Sequence, residues 1–462
     1  MDPRTKHLLT AQPLPLLARL ATPSTVAFFI QGSVSLTEVW FIGQLGETPL
    51  AAIALAFPLL MLTQTLSGGA IGGAVAASIA RSLGAGDAPR AERLIWHALA
   101  VAIGGAMLIL IIFLIGGEAF LRFLGGTGEV LVQSYAYASI LLSAGVSLWL
   151  VGILTAVFRG AGEMQFPAQM MVLNAIIQIP LSGCLILGWA GAPQLGIIGA
   201  ALSAIIAATV VCVPLLLRLI FSKGSVSLRR SAMRFSKIDF GDILRVALPA
   251  SLSPVLTVST VLVLTAFVAT FGEAALAGYG IGSRVEFLII PLVFGLGSAM
   301  TSLVGISIGA ANAERAEQVA RVGGTTAGLI AGSVGLILAL FPDTWISVFT
   351  DAPEVHEAAK GYIQIVGPFF FFHGIGLSLY FASQGASAML WPVIATILRL
   401  LVAATAAYTF AFTLEFGLAG IYVAAAAAMA LYATVIAVAI NRGAWRISIQ
   451  TGPIKERQTA ER

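Results

Sequence analysis

One carboxylate stands alone in the first apolar stretch of this chain. Glu38 lies in the segment SVSLTEVWFIG, about two dozen residues into that stretch, and no basic residue lies one helical turn away. An ionised carboxylate at such depth in a bilayer costs roughly 2.5–3.5 kcal/mol on insertion scales. The side chain avoids that cost by facing a water-filled cavity, by binding a cation or by taking up a proton. Glu38 is therefore a candidate ion-coupling group. An alternative is that Glu38 is solvated near the headgroups, because the turn at Gly46-Glu47 follows closely.

Four amides and hydroxyls could accompany this carboxylate. Gln31 and Ser35 share a helix face with Glu38, because offsets of three and seven residues return to the same side. Asn174 and Gln178, in the fifth apolar stretch, are four residues apart and face one way. These residues predict a polar pocket that could hold a protonated carboxyl group or a cation, including Na⁺. The alternative is that the two amides only join helices, an interaction typically worth about 0.6 kcal/mol.

The second half of the chain carries its own intramembrane polar residues. Arg284, Glu286, His373 and Arg399 all lie in apolar stretches, where an ionisable group is a functional hypothesis by default. Arg284 and Glu286 are two residues apart, so they point to different helix faces. The alternatives are structural pairing for the arginines and hydrogen-bonded packing for His373.

The elements that position these residues are apolar and long. Of the 462 residues, 58% are hydrophobic and only 10% are charged. Stretches of 18 or more apolar residues are long enough to cross a bilayer as helices. Twelve such stretches predict a polytopic, all-α membrane protein: about 15–41, 50–80, 94–116, 130–158, 165–189, 196–220, 243–270, 276–308, 318–341, 358–384, 389–412 and 417–440.

The chain also repeats itself. Ser82–Glu92 (SLGAGDAPRAE) and Ser307–Glu317 (SIGAANAERAE) are identical at most positions, although they stand in different halves of the chain. Six spans precede a basic linker, so the second half enters the membrane in the same direction as the first. The repeats thus predict two six-helix lobes related by a pseudo-twofold along the membrane normal. The predicted boundaries are 1–221 for the N-lobe, 222–242 for a solvated cytoplasmic linker and 243–462 for the C-lobe with its cytoplasmic tail.

The basic residues are concentrated in every second loop, and this pattern predicts the orientation of the chain in the membrane. Most of the 25 Lys and Arg residues fall in alternate loops, and only Arg122 and Lys360 fall in the loops between them. The positive-inside rule then predicts that both termini are cytoplasmic. The same distribution argues against a nucleic-acid partner, although the net charge is +4.

Motifs for enzymatic or ATP-driven chemistry are absent from the sequence. There is no GxxxxGK[ST] loop to cradle phosphates and no HExxH or paired-cysteine metal motif. Cys184 and Cys212 both lie in apolar stretches, which is typical of packing residues. The expectation is a secondary transporter without a cofactor or bound metal, which couples uphill transport to an ion gradient.

Several segments resemble one transporter family. TEVWFIGQLGETPLAAIAL in the first lobe, FRGAGEMQFP after the fourth span and GYGIGSRVEFLIIPLVFGLGSAMTSLVGISIGAANAERA in the second resemble the multidrug and toxic compound extrusion (MATE) transporters. The resemblance covers essentially the whole chain and is to the bacterial DinF-like or NorM-like branch. It implies export of multiple lipophilic, cationic drugs in exchange for H⁺ or Na⁺ by alternating access.

The resemblance also implies roles for individual residues. Glu38 matches a first-span aspartate used for cation coupling, and Pro23 matches a proline at which that helix is proposed to bend. Gln31 and Asn174 match polar residues of the N-lobe pocket. Gln178 departs from the pattern, because it stands where proton-coupled relatives have a second acid.

A second departure concerns the C-lobe. Thr257 and His373 fall where another branch of the family has acidic cation ligands, so the resemblance implies no C-lobe sodium site. We expect H⁺ coupling through Glu38, with Na⁺ as the less favoured ion. The alternative function is a flippase-like exporter of a lipid-linked or peptide metabolite. We expect small-molecule substrates, a monomer and the lipid bilayer as the only other partner.

Overall fold

The computed structural model describes residues 3–221 and 226–446, and the regular structure in these ranges is helical. In the first half the helices are α1 (Pro3–Thr10), α2 (Pro13–Gly43), α3 (Glu47–Gln64), α4 (Gly72–Gly84), α5 (Ala88–Phe123), α6 (Gly128–Ser143), α7 (Gly145–Gly160), α8 (Gln165–Leu187) and α9 (Ile197–Phe221). In the second half they are α10 (Lys237–Ala269), α11 (Glu273–Ser283), α12 (Glu286–Gly309), α13 (Ala313–Leu340), α14 (Asp343–Ile346), α15 (Pro353–Val366), α16 (Phe370–Gly385), α17 (Leu390–Tyr408) and α18 (Gly417–Asn441).

The helices account for every predicted span. Within the described residues, eleven helical stretches are long and apolar enough to cross a membrane, and α6 with α7 forms a twelfth that is bent by 53°. Each of the twelve apolar stretches read from the sequence coincides with one of them. The prediction of a polytopic helical membrane protein is confirmed.

The two halves of the chain start their helices in the same way. The Asp87 carboxylate accepts a hydrogen bond from the Arg90 N–H at 3.0 Å, and the Asn312 side-chain oxygen accepts one from the Arg315 N–H at 2.9 Å. Both are N-caps that satisfy a backbone donor left free at the start of a helix. The repeated motif is therefore a repeated helix start, before α5 in one copy and before α13 in the other.

Close helix packing is also repeated. A Cβ atom added to Gly160 would lie 2.6 Å from the Ala76 carbonyl oxygen, and one added to Gly385 would lie 2.5 Å from the Thr301 carbonyl oxygen. The second pair is offset from the first by the same interval that separates the two copies of the motif. The absence of a side chain at these glycines lets α7 approach α4, and α16 approach α12, as small residues do between membrane helices.

The chain divides into two compact units. The N-unit comprises residues 26–247, and the C-unit comprises residues 3–25 together with those from 248 onward. The division therefore falls inside α2 and inside α10, at nearly corresponding positions of the two halves. The lobe boundaries drawn from the sequence stay a prediction.

The expected solvated linker is instead packed within the N-unit. The Ser236 N–H donates to His97 Nε2 at 2.9 Å, and His97 contacts the rings of Phe235 and Phe240. The Ser227 hydroxyl donates to the Glu92 carboxylate at 2.5 Å. Residues 226–242 thus contact the N-unit, although about half of their side chains remain exposed. The linker boundaries stay a prediction, and residues 222–225 lie outside the described residues.

Two acids at the start of α10 form the centre of this contact. Asp242 receives hydrogen bonds from Arg81 at 2.8 Å and Arg90 at 3.2 Å. Asp239 receives them from Arg90 at 3.0 Å and Arg93 at 3.4 Å. Asp239, Asp242, Arg81 and Arg90 are all buried. Removing charges from water is costly, and mutual pairing offsets that cost here.

Candidate functional site

Glu38 lies near the end of α2, in the N-unit. Five residues separate it from Gly43, the last residue of the helix, which corresponds to roughly 7.5 Å along the axis. The side chain is half-buried, yet its Oε1 atom is buried without a hydrogen-bond partner among the described residues. A buried polar atom without a partner carries a desolvation cost that a bound proton or cation removes.

An apolar cluster beside Glu38 contains one polar group. Phe41 and Ile42, one turn beyond Glu38, pack in a buried cluster with Tyr137 of α6 and Ile186 of α8. The Tyr137 phenol interacts electrostatically with Glu38. Sequence reasoning missed Tyr137, because a single tyrosine in an apolar stretch carries no signal until the fold places it beside a carboxylate.

The predicted amide pair forms within α8. Asn174 Nδ2 donates to Gln178 Oε1 at 2.9 Å. Phe41 of α2 contacts Trp189, just beyond the end of α8, with ring centroids 5.1 Å apart. The Trp189 ring folds back onto α8, since a Cβ atom added to Gly183 would lie 2.5 Å from it.

Gln31 lies seven residues, or about two turns, before Glu38 on α2. The Ser35 hydroxyl donates to the Gln31 carbonyl oxygen at 3.5 Å, within α2. Oε1 of Glu38 makes no hydrogen bond to any of the other predicted pocket residues.

Pro23 lies inside α2, two residues before the division between the units. A proline within a helix removes one backbone hydrogen bond and favours a kink. The bend inferred from the resemblance stays a prediction, and this position is where α2 passes from the C-unit to the N-unit.

In the C-unit, three of the predicted residues belong to one buried polar cluster. The Tyr362 hydroxyl donates to Glu286 Oε1 at 3.2 Å. Arg399 interacts electrostatically with Glu286 and with His373, and its guanidinium lies 5.7 Å from the centre of the Tyr432 ring. Pairing of this kind is how ionisable groups are accommodated inside a membrane protein.

Arg284 lies apart from that cluster. Its side chain is exposed, and its guanidinium lies 5.8 Å from the centre of the Phe349 ring. Such a contact stabilises a cation at the edge of the fold. The structure does not bring Arg284 into the cluster of Glu286, Arg399 and His373.

Arg159 is a residue whose environment the sequence analysis did not foresee. Its Nη2 donates to the Gly68 carbonyl oxygen at 3.2 Å, and its Nε is buried without a partner among the described residues. Gly68 belongs to the π-helical segment Thr65–Ile71, which interrupts the span formed by α3 and α4. π-Helical turns often occur at functional sites, and the arginine stabilises this one.

The comparison with known families accounts for both halves of the chain. The family profile MatE matches twice, at residues 23–183 and 249–409, once in each half. The chain belongs to the MatE family. Members of this family are secondary transporters for multidrug efflux rather than enzymes, and they need no cofactor. The duplication seen in the sequence is thus the duplication of the MatE unit.

Individual relatives cover most of this MatE chain. It is 27% identical over 384 residues to a probable multidrug resistance protein NorM of Thermotoga maritima, covering 83% of this chain and 82% of the relative. It is 26% identical over 369 residues to an FAD transporter of Shewanella oneidensis, with 79% and 80% covered. Among solved structures, a MOP superfamily transporter from Pyrococcus furiosus matches with a TM-score of 0.89 at 24% identity, over 98% of this chain and 100% of that one.

The described residues of this MatE protein contain no group of three or more His, Cys, Asp or Glu side chains arranged to hold a metal ion. Both cysteines are free thiols, and Cys212 is close to the Ser147 carbonyl oxygen at 3.5 Å.

Proposed function

We propose that this MatE protein is a proton-coupled antiporter that exports lipophilic, cationic compounds by alternating access, with Glu38 as the proton-binding group. The proton and the drug favour opposite conformations, so that each changes the affinity for the other. The protein acts as a monomer in the bacterial inner membrane, with both termini in the cytoplasm.

The observation that supports this proposal is the partnerless Oε1 atom of Glu38. A proton satisfies a lone carboxylate by neutralising it. A sodium ion needs several oxygen ligands in exchange for its water shell. The amides of Asn174 and Gln178 are bonded to each other, and neither forms a hydrogen bond with Oε1 of Glu38. This geometry favours H⁺ over Na⁺.

The driving force is sufficient for drug export. One charge moving through 100 mV provides about 2.3 kcal/mol. One pH unit adds about 1.36 kcal/mol. For an electrogenic one-to-one exchange, the sum corresponds to a gradient of a few hundredfold, at tenfold per 1.4 kcal/mol.

The test is ethidium efflux from proteoliposomes under a pH gradient and, separately, under a sodium gradient. We expect efflux in the wild type to follow the pH gradient, and Glu38→Gln to abolish that dependence because the side chain no longer binds a proton. Glu47→Gln is the matched control, since Glu47 is exposed at the start of α3. Size-exclusion profiles in detergent show whether each variant is folded.

Three results would count against the proposal. Normal pH-driven efflux by Glu38→Gln would place coupling at another group, with Glu286 and His373 tested next. Efflux that follows only the sodium gradient would mean that Na⁺, rather than H⁺, is the coupling ion. Transport of FAD without transport of ethidium would mean that the substrate is FAD, as named for the Shewanella oneidensis relative, rather than a lipophilic cation.

A further inference from the structure

The C-unit contains a cavity of about 860 Å³ beside the start of α13. Its lining includes three arginines, Arg315, Arg321 and Arg446, and two acids, Glu314 and Glu317. Leu9 of α1 lies on another side of the cavity. This cavity lies outside the candidate transport site, and neither the family assignment nor the proposed function uses it.

The repeat provides an internal comparison for this place. Arg315 occupies the position in the second copy of the motif that Arg90 occupies in the first. In the N-unit, Arg90 Nε donates to Asp239 at 3.0 Å and Arg90 Nη2 donates to Asp242 at 3.2 Å. The first copy of this arginine is thus bound by two carboxylates that the chain itself supplies.

The second copy has no such carboxylates. The positions that correspond to the two acids are found by applying the offset between the two copies of the motif. Asp239 then corresponds to Leu14, and Asp242 to Leu17, at the start of α2. Residues 3–12, which precede them, contain no acid. The segment that neutralises the arginine in one copy is therefore apolar or basic in the other.

The guanidinium of Arg315 shows the consequence. Its side chain donates to Gln318 Oε1 at 3.1 Å and to the Ala11 carbonyl oxygen, which are both neutral acceptors. Its Nε atom is buried without a hydrogen-bond partner, and the residue is only 9% exposed. The unsatisfied nitrogen is the same one that in Arg90 binds Asp239. A buried guanidinium that has only neutral acceptors and one unsatisfied donor lacks a counter-ion.

The other charged side chains of the cavity do not provide an anion for Arg315. Glu317 accepts from Arg446 Nε at 2.9 Å and from Arg446 Nη2 at 3.0 Å. Glu314 also acts electrostatically on Arg446. Arg321 is exposed, and no described carboxylate forms an ion pair with Arg321 or Arg315. Both acids therefore act on Arg446. The other two arginines, Arg315 and Arg321, face the cavity without a carboxylate partner among the described residues.

We propose that this cavity binds a phosphate group, carried by a phospholipid headgroup or by a soluble phosphate. The planar guanidinium fork matches phosphate oxygens in pairs, and Arg315 and Arg321 contact the group from two turns of α13. The phosphate takes the place that Asp239 and Asp242 occupy in the N-unit. Bilayers present phosphates at the depth where helices leave the hydrocarbon, and clustered basic residues there recognise anionic lipids.

The experiment measures the thermal unfolding midpoint of the purified full-length chain in neutral detergent at constant ionic strength. One series adds dioleoylphosphatidylglycerol, with dioleoylphosphatidylcholine as the lipid control. A second series adds inorganic phosphate, with chloride as the control. The variants are Arg315→Gln and Arg321→Gln, and Arg234→Gln is the matched control because Arg234 is an exposed arginine outside the cavity.

We expect a saturable rise of the midpoint in the wild type and in Arg234→Gln. The concentration for half the effect should increase at least tenfold in Arg315→Gln and several-fold in Arg321→Gln. Arg321→Gln keeps the test valid if Arg315→Gln does not fold, because an exposed residue can be replaced without disturbing the fold. A rise with phosphatidylglycerol alone identifies a lipid, and a rise with inorganic phosphate identifies a soluble ligand. No saturable rise in either series, or equal responses in all variants, would overturn the proposal. The result does not depend on transport and so is independent of the proposed function.

Discussion

At the scale of single residues, position along a helix matters as much as residue type. Glu38, Ser35 and Gln31 share one face of α2, as their spacing predicts. The Asn174 and Gln178 amides bond to each other, whereas Oε1 of Glu38 has no hydrogen-bond partner among the described residues. The contributions of the carboxylate and of the amide pair to transport should therefore be separable by mutation.

Gln178→Leu is expected to keep the dependence of ethidium efflux on the pH gradient, because the amide pair makes no hydrogen bond to Oε1 of Glu38. The loss of the Asn174–Gln178 hydrogen bond should cost about 0.6 kcal/mol of stability. Since the two amides bond to each other, the double variant with Asn174→Leu should lose about as much as either single variant. The measurements are proteoliposome efflux and detergent unfolding. Efflux that stops responding to the pH gradient in Gln178→Leu would show that the amide takes part in coupling.

At the scale of elements, the linker and the start of α10 are structural parts of the N-unit. Asp242 receives hydrogen bonds from two buried arginines, Arg81 and Arg90, and Asp239 from Arg90 and Arg93. The contact joins the segment between the two repeats to the helix start that the repeats share. In the C-unit the equivalent helix start instead contacts Ala11, between α1 and α2.

Asp242→Asn should lower the free energy of unfolding by about 3–5 kcal/mol, because it leaves buried arginine charge without a partner. Glu118→Gln is the matched control. Its ion pair with Arg122 spans one turn on the surface, with side chains 56% and 65% exposed, and should contribute no more than about 1 kcal/mol. Chemical unfolding in detergent compares the two. Equal, small losses would mean that the buried cluster is not what holds residues 226–242 in place.

At the scale of the whole molecule, the chain is a duplicated MatE unit whose compact units do not coincide with its two sequence halves. Residues 3–25 belong to the C-unit, and residues 226–247 belong to the N-unit. Each half of the sequence thus contributes a segment to the unit formed mainly by the other half. A break between the halves leaves both units incomplete unless both fragments are present.

Co-expressed fragments 1–224 and 225–462 are therefore expected to purify together through a tag on either one. Each fragment expressed alone should be unstable, because it exposes the surface that the missing segment covers. The measurement is co-purification in detergent, with size-exclusion profiles of the separate fragments as the control. Two separately stable, monodisperse fragments would show that the exchanged segments are not needed for folding.

The sequence by itself determined the number of spans, the duplication and the intramembrane carboxylate. These follow from the length of apolar stretches, from a nearly constant offset between the repeated segments and from the rarity of charge in a bilayer. Each is a local property or a comparison of one segment with another.

The tertiary structure alone decided which polar groups meet. It brought Tyr137 within electrostatic range of Glu38, joined Arg159 to Gly68 by a hydrogen bond, and bound Arg90 but left Arg315 without an acid. The physical reason is that hydrogen bonds and ion pairs depend on distances of about 3 Å between residues far apart in the chain. Helical spacing fixes the face on which a residue lies, whereas packing fixes the depth and the neighbour.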